Sequence, residues 1–104
     1  MELYGETRSF PTTERFGLVA QIRRAAVSIP VNIAKGAGRR SRKEFARFLS
    51  ISRGSANELF VLLDIARDIG LLAEIRFASY TQSIERIFAM TSGLIRRIDP
   101  DGLR

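Results

Sequence analysis

Between Arg23 and Arg53 the chain carries nine of its 17 basic residues, Arg23, Arg24, Lys35, Arg39, Arg40, Arg42, Lys43, Arg47 and Arg53, against one acid, Glu44. That stretch is net +8 and the remainder net −2. Charge segregated this strongly marks an attraction for polyanions or a strongly solvated face. Arginine outnumbers lysine 15 to 2. Its planar guanidinium is the side chain best suited to paired hydrogen bonds with phosphate. Arg24, Lys35, Arg39, Arg40, Arg42, Lys43 and Arg47 are therefore the candidate nucleic-acid-binding residues. Arg24 and Lys35 fall on one flank of a helix across Ser28 and Val31, and Lys43 and Arg47 are four apart on the next. No aromatic is interleaved on this surface, because Phe45 and Phe48 fall on the apolar stripe. Recognition through backbone and shape is expected, without base readout. The same cluster also suits a solvated face, or one that pairs subunits.

Other chemistry finds little support. The chain has no Cys and no His, which removes thiolate chemistry, the usual general base and the commonest metal ligand. No catalytic residue, metal site or cofactor is expected. Gly36-Ala37-Gly38-Arg39-Arg40-Ser41 has neither the spacing nor the preceding strand of a phosphate loop. Glu58 lacks a second acid at a recognisable spacing, so Asn32, Asn57 and Glu58 are read as a structural polar network that fixes helix register. Tyr4, Tyr80 and the phenylalanines are assigned to core and interface.

The elements that must position the basic residues are all helical. Apolar residues recur at three and four, with no alternation of the strand type. Length and 45% hydrophobic content fit one domain over residues 1–104. A short segment, Glu2 to about Arg8, is marginal for a helix with its own packing role. The second runs from about Thr13 to Lys35 with Leu18, Ile22, Ala25, Ile29 and Ile33 on one stripe; Thr12 or Thr13 is its cap, with Glu14 in the first turn. Pro30 inside it predicts a kink near Val27 to Val31, with helix resuming through Ala34. Gly36 or Gly38 is expected to end it in the left-handed conformation. Ser41 and Glu44 form a capping-box pattern, so a third helix starts there and stops at Gly70. Within it, Gly54 sits among small residues, which predicts close approach of a neighbour. The fourth helix spans about Glu74 to Ile98.

The sequence Phe10-Pro11, then Gln21-Ile22-Arg23-Arg24-Ala25-Ala26-Val27-Ser28-Ile29-Pro30, Asn32-Ile33-Ala34, Gly36, Gly38-Arg39-Arg40-Ser41, Glu44-Phe45 and Gly54-Ser55-Ala56-Asn57-Glu58-Leu59, resembles the four-helix-bundle family of 23S rRNA intervening-sequence proteins. The resemblance implies a cytosolic, antiparallel up-and-down four-helix bundle associated with sequences inserted in bacterial large-subunit rRNA genes. The accessory proteins of diversity-generating retroelements are similar. Their five-fold barrel, which works with a reverse transcriptase and nucleic acid, implies a homopentamer. Two departures stand out. The family usually has a longer first helix before the Phe10-Pro11 turn, so either the true start lies upstream or the first helix is short or truncated here, and Lys35 stands where Glu is common.

The leading expectation is thus a non-catalytic, homo-oligomeric bundle that binds RNA or DNA. The alternative is a scaffold or adaptor whose basic face pairs subunits or recruits a protein partner. A helix-turn-helix reader of DNA fits poorly, because the helices are too long for that module. No membrane partner is expected: the strongly apolar run Leu59 to Leu63 is far short of the ~20 residues that span a bilayer. The mixed N-terminus lacks the plan of a signal peptide, and a cytoplasmic location is the default.

Overall fold

The structure is a computed structural model that describes residues 2–11 and 15–103. It is an all-α bundle, with α1 (Leu3–Arg8), α2 (Ala20–Ala37), α3 (Arg42–Asp68) and α4 (Glu74–Ile98), and no strand among the described residues. A π-helical segment, Arg15–Val19, leads into α2, and a 3-10 turn, Pro100–Leu103, follows α4. The cap expected at Thr12 or Thr13 and the acid at Glu14 lie outside the described residues.

α3 is the spine. Leu49, Ser52, Ala56, Leu59, Leu63 and Ala66 recur at three and four along one face, and all are at most 1% exposed. That face packs on α2 at one side and α4 at the other, while α2 and α4 scarcely touch each other. From α2 come Ile22, Ala25 and Ile29, and from α4 Phe77, Tyr80, Ile84 and Ile95. Short connections make the three long helices antiparallel neighbours, in a body 44 × 23 × 20 Å.

The first helix has a packing role after all, despite its six residues. Leu3, Thr7 and Phe10 are buried. The Tyr80 hydroxyl donates to the Glu2 carbonyl at 3.2 Å, and Arg76 Nε donates to Glu6 Oε1 at 2.9 Å. Arg23 Nε donates to Thr7 Oγ1 at 3.0 Å. Contacts to α2 and α4 therefore supply the stability that two turns of helix lack. α1 covers only one end of the space between those helices. Beyond it an open apolar channel continues, lined by Tyr4, Val27, Pro30, Ile33 and Ile87 among others.

α2 is continuous through Pro30, whose ring is exposed. The glycines divide the work differently from expectation. Gly38 caps α2 at φ −81°, and the single positive φ among the described residues is Gly70 at 84°. So the left-handed stop occurs where α3 ends, as expected there, and neither Gly36 nor Gly38 uses it. Gly36 instead marks a close approach of α2 to α3. A Cβ at this position would lie 2.8 Å from Phe48 Cβ and 2.9 Å from Phe45 Cδ1. Gly54, expected to admit a neighbour, is exposed with nothing within 4 Å of its would-be Cβ. It is one residue off the sequence Ser52, Ser55, Ala56 that does face inward. Gly54→Ala should accordingly raise stability by roughly 1 kcal/mol, the helix-propensity difference, measured as an increase in urea midpoint at unchanged slope.

Candidate nucleic-acid interface

The turn between α2 and α3 is built by two local devices. Ser41 is extended (φ −87°, ψ 134°) and its Oγ accepts the Glu44 amide at 3.2 Å, capping α3. The reciprocal half of the capping box is replaced: the Glu44 carboxylate accepts from Arg47 Nε at 2.9 Å and Nη2 at 3.3 Å. The Arg47 hydrogen bond holds the Glu44 carboxyl below its usual range. The pair is exposed and screened.

Because α4 is antiparallel to α3, its last turn lies beside the first turn of α3. Ile95 packs on Ala46 and Leu49, and Asp99 shares a shallow hollow with Ser41, Lys43 and Arg47. One end of the bundle thereby gathers Lys35, Arg39, Arg40, Arg42 and Lys43 with two further arginines, Arg96 and Arg97. All seven are exposed, and the Glu44 carboxylate at this end is already taken by Arg47. The opposite end differs. There Arg67 pairs with Asp64, Asp68 and Glu74, and Arg76 with Glu6. Positive charge left uncompensated is thus concentrated at the loop end.

Aromatic rings do reach this surface, from beneath. Phe48 is 8% exposed. The Arg39 guanidinium lies 5.0 Å and that of Arg47 4.6 Å from its ring centroid. Such stacking restrains the two arginines while leaving their N–H donors at the rim. Phe48 offers no open face on which a base could stack.

The remaining basic positions separate from the cluster. Arg24 is eleven residues before Lys35, about 16 Å along α2 at 1.5 Å per residue. It borders a hollow with Ala25, Ser28, Ser55 and Glu58. Arg23 is turned to Thr7 and the Tyr4 ring, and Arg53 donates to Ser92 Oγ at 3.1 Å beside Phe88.

Of the expected polar network Asn32 is a member, with serines in place of Asn57 and Glu58. Asn57 and Glu58 are exposed. Asn32 Nδ2 donates to the Ser28 carbonyl at 2.8 Å and to Ser28 Oγ at 2.9 Å, and the Ser28 and Ser55 hydroxyls are 2.7 Å apart. Buried Ser52 donates to the Ile29 carbonyl at 2.8 Å. At 100° per residue, positions 57 and 58 are rotated off the face that 52, 56 and 59 define, so serines make the α2–α3 cross-link.

Among the described residues no cluster of three or more acids is arranged to hold a metal ion. None of the described helices is long and apolar enough to cross a membrane. In comparison with known proteins, a family model described as 23S rRNA-intervening sequence protein matches residues 1–93. No curated protein matches the chain.

Proposed function

The chain belongs to the 23S rRNA-intervening sequence protein family, and from that membership and its basic end we propose that it binds RNA or another nucleic acid, without catalysis, as one subunit of a homo-oligomer. The observation that carries this reading is the gathering of exposed Lys35, Arg39, Arg40, Arg42, Lys43, Arg96 and Arg97 at one end, where Glu44 is already taken by Arg47. Phosphate is the chemistry such an array fits, since each guanidinium offers two parallel donors to phosphate oxygens. Recognition is of backbone and shape, because the aromatic ring at the surface is covered by the arginines. In an oligomer several such ends act together, and avidity raises an affinity that one end alone would hold weakly. The five-fold assembly of the similar retroelement accessory proteins suggests a pentamer.

The test is a titration of the protein against labelled structured rRNA, unrelated RNA and duplex DNA at low and near-physiological salt. Binding that persists at physiological salt is the expected result. Loss of all binding above low salt would leave nonspecific attraction only and transfer the lead to a scaffold, in which the basic end recruits a protein.

A further inference from the structure

Two threonines on α4 use their hydroxyls differently. Thr91 donates to the carbonyls of Ile87 at 2.8 Å and Phe88 at 3.1 Å, the ordinary behaviour of a helical threonine. Thr81 does not. Its Oγ1 is shut from solvent without a hydrogen-bond partner, alone in this among the buried side-chain polar atoms of the described residues. A buried hydroxyl left unpaired opposes folding, and in a native fold it marks a partner still to be supplied. Thr81 borders a hollow of about 370 Å³ between α3 and α4, within the size range of small-molecule sites. Helix periodicity builds it. On α4, Thr81, Glu85 and Phe88 are spaced by four and three and share one face, and on α3 Asn57 and Phe60 are three apart and line the other wall. Each helix thus contributes one aromatic ring and a polar group. Phe60 is half-buried, whereas Phe88 is 41% exposed and, unlike Phe48, keeps an open surface. The Arg53 guanidinium lies 5.7 Å from the Phe88 ring centroid and is held by its hydrogen bond to Ser92 Oγ at 3.1 Å.

The geometry points to a site for a single nucleobase that carries an exocyclic amino group. Phe88 and the planar Arg53 head offer the stacking surface that an unstacked base seeks. The Asn57 amide presents a donor and an acceptor side by side, the pair that matches an adenine edge. The Glu85 carboxylate only accepts, so it suits an amino group and repels the carbonyl edge of uracil. The Thr81 hydroxyl, turned about its first side-chain torsion, gains in the bound base the partner it lacks. The hollow stands apart from the basic end: at 1.5 Å per residue, Arg47 to Asn57 spans about 15 Å along α3 and Phe88 to Arg96 about 12 Å along α4. The inference therefore goes beyond phosphate recognition and does not depend on it. A free nucleoside and an unstacked position in a strand present the same chemistry to this site.

Adenosine, cytidine and uridine, which have no phosphate for the basic end to take, are titrated into isotope-labelled protein and followed by amide NMR signals. Adenosine and cytidine should shift the signals of Asn57, Thr81, Glu85 and Phe88 saturably, and uridine should bind about tenfold more weakly. Thr81→Val should raise the urea midpoint, because a methyl of the same shape replaces an unpaired hydroxyl, and yet weaken adenosine binding about tenfold. Glu85→Gln should erase the preference over uridine, since the amide also donates. A merely structural Thr81 or Glu85 would leave both the affinity and the preference where they were. No saturable shift at the hollow with any of the three nucleosides, or shifts that Thr81→Val and Phe88→Ala leave unchanged, would overturn the site. A short adenylate strand separates the sources. Shifts at the hollow that need less strand than adenosine assign the base to RNA, and shifts from adenosine alone assign it to a free nucleoside. Failure of phosphate binding at the basic end would leave each of these readouts intact.

Discussion

Replacing Arg39, Arg40 and Arg42 together by glutamine is expected to lower affinity for nucleic acid by roughly 500-fold at 0.1 M salt. The figure follows from counterion release. Each lost phosphate contact removes about 0.9 from the slope of log K against log salt on a duplex, so three remove about 2.7. On a single strand the corresponding loss is nearer 2, because the slope per contact is about 0.7. The slope is the decisive readout, since a variant that had merely unfolded would lose affinity at every salt concentration. All three side chains are exposed in or beside the turn, and the helical signal should be unchanged. An unaltered slope would sink the proposal that this end meets phosphate. In that case a change of oligomer mass in the same variant would favour a subunit-pairing role for the cluster.

The second large effect concerns stability. Gly36→Ala should destabilise the fold by about 1–3 kcal/mol, the range for overpacking a tight core. The added methyl would lie 2.8 Å from Phe48 Cβ and 3.2 Å from the Phe45 carbonyl oxygen. Neither atom is the free end of a flexible chain, so relief requires α2 and α3 to separate. Phe48 carries Arg39 and Arg47, and the displacement would reach the basic end. Equilibrium urea unfolding of Gly36→Ala beside Gly54→Ala makes the comparison direct. The same substitution should lower the midpoint at the first position and raise it at the second. Equal midpoints would mean that the helices are not in contact at Gly36.

Those two glycines also show what the sequence conceals. Glycine between two helical segments signals a stop, and glycine among small residues inside a helix signals close approach. Here Gly36 provides the close approach although it lies near the end of α2, while Gly54 lies on open surface. Composition records that a side chain is absent, but what occupies the vacated space depends on the rotation of the neighbouring helix. α3 was legible almost whole, because Ser41, its three-and-four apolar spacing and Gly70 are local signals that tertiary packing reinforced. Asn57 and Glu58 were misplaced because they are adjacent in sequence to the buried stripe, yet one residue is 100° on the helix.

The basic cluster shows the same division. Lys35 to Arg47 are close in the chain and remain together in space. Arg24 shares their flank by periodicity but not their position along the axis. Taken alone, Arg96 and Arg97 are last-turn residues that complement the α4 dipole. The antiparallel run of α3 and α4, already implied by a short connection, was the signal that would have placed them at the loop end. The short α1 was undervalued because helix propensity ignores what Leu3, Thr7 and Tyr80 gain from each other.

Arginine over an aromatic ring recurs throughout the molecule: Arg23 on Tyr4, Arg39 and Arg47 on Phe48, Arg53 on Phe88, Arg67 on Phe77 and Arg76 on Tyr80. A flat cation can serve as a lid on a hydrophobic ring while its edge stays hydrated, which an ammonium on a flexible stem does less well. The arginine excess is therefore partly architectural, a way of closing a small bundle with charged shingles. Arginine-to-lysine exchange in this protein would conserve its electrostatics and erode its roof.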